Sequence, residues 1–120
     1  MVLVDTSVWV SHLRDGNTEL ATLLNHGMVL FHPLVVGELA CGNLKDRAVI
    51  LSFLKLLPMC IEAEHEEVLS FIESNRITGK GIGYIDAQLA ASALLTGVKI
   101  WTLDKKLAQV AGELHIKYGT

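Results

Sequence analysis

Four carboxylates carry the chemistry that this sequence offers. Asp5 closes the opening apolar run Met1–Val4, and Asp104 follows the apolar run Val98–Leu103. Asp86 lies in the first turn of a small-residue helix, and Glu38 lies mid-helix after a second apolar run. Mg2+ and Mn2+ are hard ions that prefer oxygen ligands. One or two such ions would offset the repulsion among four clustered acids, and the whole would activate water and hold a phosphate oxygen. Taken singly, Asp5 and Asp104 also suit helix N-caps, and Asp86 suits a helix N-terminus through the dipole. Glu38 is harder to place as a bystander. Its neighbours one turn away are Leu34, Val35, Cys41 and Gly42, so it is expected on an apolar face. A buried carboxylate without a partner is costly or takes up a proton, and no basic residue lies in that helix to compensate it.

The elements that must position these acids follow from hydrophobic patterning. Met1–Val4, Met28–Phe31, Met59–Ile61, Val98–Leu103 and Ile116–Tyr118 read as short buried strands. Between them lie helices: one after Asp5, one over Glu19–His26 stopped by Gly27, and one opened by Pro33 that runs to about Cys41. Further helices are expected over Asp46–Leu57 (halted by Pro58), Glu64–Asn75, Ile85–Thr96 and Asp104–Glu113. Strands alternating with helices imply an α/β chain with a parallel sheet covered on both faces. In such sheets the ligand crevice lies beyond the carboxyl ends of the strands. If the first strand and the strand before Asp104 are neighbours, Asp5 and Asp104 share one edge.

The 120 residues fit one domain spanning 1–120, with no repeat or low-complexity segment. Hydrophobic residues make up 51% and charged residues 19%, which excludes disorder as the main state. Only 6% are aromatic, so base stacking is not the main device. No stretch is long enough to span a bilayer, and no basic leader precedes Asp5, so a cytoplasmic protein is expected. Cys41 and Cys60 are expected as small buried hydrophobes in a reducing compartment. The net charge of −3 argues against a nonspecific nucleic-acid binder. That argument weakens if four of the thirteen acids surround a cation, because ten basic groups then face nine acidic ones.

Weaker candidates surround the acids. Thr102 leaves its strand on the same side as Asp104, and with Thr6 and Ser7 it could hydrogen-bond an acid or a water on the cation. Equally, Thr102 suits a strand and Ser7 suits a cap. The run Gly79-Lys80-Gly81-Ile82-Gly83 fails both phosphate-loop fingerprints and reads as a loop. Lys80, Arg14, Arg76, Lys105 and Lys106 are solvated charges that an RNA phosphate could meet. Trp9 and Trp101 are expected in the core, and the five histidines show no ligand spacing.

Four segments also match a family: VLVDTSVWV (Val2–Val10), HPLVVGELACG (His32–Gly42), GIGYIDAQLAASALL (Gly81–Leu95) and IWTLDKKL (Ile100–Leu107). In this order and at this spacing the chain resembles PIN-domain ribonucleases, and among them the VapC-type toxins of toxin–antitoxin pairs. The resemblance covers essentially the whole chain. It implies a three-layer α/β/α sandwich around a parallel sheet of strand order 3-2-1-4-5. It further implies that Asp5, Glu38, Asp86 and Asp104 form a catalytic quartet for Mg2+ or Mn2+. The implied activity is endonucleolytic RNA hydrolysis by a metal-activated water, leaving a 5′-phosphate and a 3′-hydroxyl. The implied partners are an RNA substrate, a cognate antitoxin and a second copy of the chain.

Two other classes compete with this reading. A phospho-receiver domain also places strand-end acids around Mg2+, but it needs an acceptor Asp after a central strand and a partnered Lys after a later one. The middle third offers Glu38 on a helix instead. A non-catalytic RNA- or protein-binding scaffold would cut nothing. The helix expected over Asp46–Leu57 is apolar beyond the needs of one buried face, so part of it is expected to meet a second subunit or the antitoxin, with deep burial as the alternative.

Overall fold

The computed structural model describes residues 1–119. Three strands form its sheet: β1 (Val2–Val4), β2 (Val29–Leu30) and β3 (Lys99–Trp101). All pair in parallel in the order β2-β1-β3, with Leu3 opposite Leu30 on one side and Ile100 on the other. Every residue of β1 is buried, so both faces of the central strand are covered.

Two expected strands shrink to single bridges. Met59 pairs with Phe31 beyond β2, and Lys117 pairs with Ile100 beyond β3. Counting these bridges as edges, the lateral order is 3-2-1-4-5, as the resemblance implied. Pro58 has no N–H to extend the ladder at one edge. Gly119 turns the backbone to a φ of 86° at the other.

Seven helices flank the sheet: α1 (Thr6–Asp15), α2 (Thr18–Asn25), α3 (Pro33–Cys41), α4 (Arg47–Leu54), α5 (His65–Ser74), α6 (Tyr84–Thr96) and α7 (Lys105–Glu113). Their starts follow the local sequence. Asn17 caps α2 by accepting the N–H of Leu20 at 3.0 Å, and Asp104 caps α7 by accepting that of Leu107 at 2.9 Å. Pro33 opens α3, where its missing N–H has no intrahelical partner to lose. Residues 87–93 of α6 are all buried, and the alanines at 87, 90, 91 and 93 let this helix lie close against its neighbours.

Three expectations are corrected here. The helix expected over Asp46–Leu57 is α4, shorter and not deeply buried: only Leu54 is enclosed, while Val49, Phe53 and Leu56 are exposed. Cys41 is exposed at the end of α3, and only Cys60 is buried. Trp9 belongs to the core, but Trp101 is half-buried and packs against the Tyr118 ring with centroids 5.1 Å apart.

Helix α6 ends at Gly97 in the left-handed region (φ 75°, ψ 36°). A Cβ there would meet no atom within 4 Å, so Gly97→Ala carries the backbone cost alone. Chemical denaturation should show it destabilised by about 1 kcal/mol. An unchanged urea midpoint would contradict this account of the helix end.

Candidate active site

The parallel pairing of β1 with β3 decides where the acids stand. Val4 lies beside Trp101, and the N–H of Asp5 continues the ladder by donating to the Trp101 carbonyl at 2.9 Å. Asp5 therefore emerges next to the chain that leads into Thr102 and Asp104. It occupies the N-cap position of α1, yet its side chain makes no cap bond. Its Oδ2 instead accepts from the Ser7 hydroxyl at 2.8 Å and from the Thr102 hydroxyl at 2.7 Å.

Both hydroxyls are aimed by the backbone that follows β3. The N–H of Leu103 donates to Ser7 Oγ at 2.9 Å, and the N–H of Asp104 donates to Thr102 Oγ1 at 3.0 Å. With those lone pairs used, each hydroxyl proton is free to point at Asp5. These bonds meet on Oδ2 and leave Oδ1 unengaged by them. Asp5 itself is buried, at 6% exposure.

Glu38 departs from expectation. The core-facing residues of α3 are Val35 and Leu39, and Glu38 falls one step outside that stripe, exposed to solvent. It is therefore not a buried carboxylate in need of compensation. Its Oε1 accepts the Thr6 hydroxyl at 2.7 Å, which ties α3 to the first residue of α1. Asp104 is exposed and spends Oδ1 on the α7 cap, so the bland role holds for one of its two oxygens.

Asp86 reports on the other three. Its carboxyl is pushed up from 3.8 to about 6, first by burial and then by the negative charges of Asp5, Asp104 and Glu38. A hydrogen bond from the Gly83 backbone opposes the rise. The four acids thus come from four separated stretches of chain and lie within electrostatic reach of Asp86. They are not drawn into tight contact: among the described residues, no three His, Cys, Asp or Glu side chains form a ready coordination shell. Carboxylates that face one another without a counter-charge repel. Arg14 pairs with Asp15 and Lys80 with Glu113, and neither pair includes one of the four acids. As a donor set, four oxygen-bearing anions suit a hard divalent cation.

One polar group near the site escaped the sequence reading. His32, Gln88 and Ser92 are buried and hydrogen-bonded together between α3 and α6. Gln88 and Ser92 stand four residues apart within the otherwise apolar stretch 87–95 of α6, and that spacing was the available signal.

Comparison with known proteins bears on the chain as a whole. A family model described as PIN domain matches residues 2–113. Ribonuclease VapC32 of Mycobacterium tuberculosis is 43% identical over 114 residues, covering 94% of this chain and 92% of that protein. Among solved structures, FitAcB from Neisseria gonorrhoeae aligns with a TM-score of 0.66 at 23% identity, over 93% of this chain and 94% of that one. PAE2754 from Pyrobaculum aerophilum aligns with a TM-score of 0.60 at 18% identity, over 91% and 78%. At those identities the two structures bear on the fold alone.

The electrostatic coupling at Asp86 has a measurable sign. Its folded value exceeds 3.8, so between about pH 4 and pH 6 the folded chain binds this proton more tightly than the unfolded chain does. The corresponding contribution to stability is present at low pH and is lost as pH rises through that window. Asp5→Asn removes one negative neighbour and should move the Asp86 midpoint downward, which carboxyl 13C titration by NMR would record. An Asp86 midpoint already near 4 in the unsubstituted chain would remove the coupling.

Proposed function

The chain belongs to the PIN-domain family, among its VapC-type ribonucleases, and we propose that it is a metal-dependent endoribonuclease acting as the toxin of a toxin–antitoxin pair. The observation that carries this reading is the raised Asp86 carboxyl, because one group registers three other acids from distant parts of the chain. A cation would relieve the repulsion that these acids exert on half-buried Asp86. The name of the 43%-identical relative supports RNA as the substrate.

Asp5, Glu38, Asp86 and Asp104 would hold Mg2+ or Mn2+. Bound there, the cation supplies Lewis acidity that activates water and offsets charge on the phosphoryl oxygens. The residues of the chain do the rest. Ser7 and Thr102 fix Asp5 through Oδ2, so its other oxygen keeps one orientation. Thr6 fixes Glu38 against α1. The backbone after β3 sets Asp104 and both hydroxyl groups together. Asp86 must shed its proton before it can serve as an anionic ligand, so the free chain is poorly prepared below about pH 6. Hydrolysis would leave a 5′-phosphate and a 3′-hydroxyl.

Partners enter through a different surface. Val49 is 71% exposed, Phe53 46% and Leu56 83%, an apolar face along and just beyond α4. We assign this face to a second copy of the chain or to the cognate antitoxin. A cytoplasmic site of action suits such a pair. Among the described residues, no helix is long and apolar enough to cross a membrane.

Sequencing RNA ends after controlled expression tests the activity. Wild type should produce new 5′-phosphate ends that a chelator abolishes in vitro, and Asp5→Asn should lower cleavage at least about 100-fold. Equal cleavage by Asp5→Asn would refute the site, and an absence of cleavage by either would favour a binding scaffold. Sedimentation tests the α4 face separately. Val49→Asp should stay folded but lose the self-association or antitoxin binding of wild type, and a wild type that is monomeric with and without its genomic neighbour would exclude this surface.

A further inference from the structure

Outside the acids, the buried cluster of His32, Gln88 and Ser92 has no assigned part. His32 is fully enclosed and directly precedes α3. Its Nδ1 accepts the N–H of Leu34 at 3.0 Å and so caps that helix. In the neutral ring the proton therefore sits on Nε2. Nε2 lies 3.1 Å from Gln88 Oε1 and 3.1 Å from Ser92 Oγ, both on α6. The Ser92 hydroxyl donates to Gln88 Oε1 at 2.8 Å and accepts the N–H of Ala63 at 3.0 Å. Gln88 Nε2 donates to the Ala63 carbonyl.

The network spans two acid-bearing helices. Glu38 lies six residues after His32 on α3, and Asp86 lies two residues before Gln88 on α6. The buried apolar residues of α3 are Val35 and Leu39 only, a narrow stripe that fixes its depth better than its rotation. A hydrogen bond with a defined direction supplies what that stripe lacks. Burial keeps the ring neutral, with Glu62 the charge that opposes this, and neutrality is what the Leu34 bond needs.

Resting on the acidic site described above, we propose that His32 is a positioning residue of that site, holding the Glu38-bearing α3 to the Asp86-bearing α6 through Gln88 and Ser92. It touches neither substrate nor cation. It acts by fixing the separation of two ligand-bearing helices.

Mn2+ binding to the full-length chain, measured by calorimetry alongside urea denaturation, separates tether from cap. His32→Asn places an oxygen where Nδ1 stands, so it keeps the α3 cap but does not reach α6. His32→Gln reaches the Nε2 position and gives up the cap. We expect His32→Asn to weaken Mn2+ binding about 10-fold, with His32→Gln close to wild type. Glu38→Gln should weaken binding in the wild-type chain and add little in the His32→Asn chain, since effects of independent sites would multiply. Should His32→Asn fail to fold, replacing both α6 partners together (Gln88→Met with Ser92→Ala) cuts the tether from the other helix and should give the same loss. Wild-type affinity in His32→Asn or in the Gln88→Met, Ser92→Ala chain, equal losses in the Asn and Gln variants, or multiplied losses when Glu38→Gln is added to His32→Asn would overturn the positioning role. No Mn2+ binding by the wild-type chain would instead overturn the acidic site, and this proposal with it.

Discussion

Two hydroxyl groups converge on one oxygen of Asp5, and that junction exists only because β1 and β3 run parallel in one register. Val4 pairs with Trp101, and the Asp5 N–H carries the ladder one step further. Thr102 then reaches Asp5 across 97 positions of sequence, while Ser7 reaches it from the first turn of α1. A slip of one residue would turn Thr102 to the other face of the sheet. It would also displace the Leu103 and Asp104 N–H groups that aim the hydroxyls. Buried, fully engaged contacts on β1 oppose such a slip, since Val2, Leu3 and Val4 all lie in the core.

That register brings together groups that repel. Asp86 rises to about 6 because burial and three anions act on it at once. The fold must offset this from elsewhere, and α6 is suited to do so. Its residues 87–93 are buried in one continuous stretch immediately after the strained carboxyl. Functional sites commonly violate a local rule that the surrounding structure compensates. Here the violation is like-charge proximity at one end of a helix, and the compensation is the apolar packing of that same helix.

The frame was readable because strand–helix alternation carries its own signature. Apolar runs ending at Asp5 and before Asp104 put both acids at one edge if the two strands are neighbours, and the sheet pairs those strands in parallel. The lateral order also emerged, although the Met59 and Lys117 strands are reduced to bridges. Periodicity does not report how many ladder bonds an edge can sustain. Glu38 was misread because an α-helix turns about 100° per residue: Val35 and Leu39 set the buried stripe, and the position just before Leu39 already meets solvent. Cys41 was misplaced for the same reason. The link from His32 to the Gln88–Ser92 pair was invisible because it spans 56 and 60 positions of sequence, and hydrogen bonding between distant residues leaves no local period. The exposure of Val49, Phe53 and Leu56 was half legible: excess apolarity in that helix pointed to something beyond one buried face.

Hydroxyl restraints have an electrostatic consequence for Asp5 and Glu38. A lysine or arginine beside Asp5 would fix it as well as Thr102 does, but it would also cancel the negative charge that attracts a cation. A hydroxyl donor orients a carboxylate and leaves that charge in place. Asp5 is held by Ser7 and Thr102, and Glu38 by Thr6, all neutral groups. The cationic partners appear elsewhere, Arg14 on Asp15 and Lys80 on Glu113. The buried tie between α3 and α6 obeys the same rule, because a neutral imidazole joins two neutral side chains and adds no positive charge behind the acids. Neutral donors thus orient Asp5 and Glu38 while leaving each its negative charge, and oriented, anionic oxygens are what a hard divalent ion favours in its ligands.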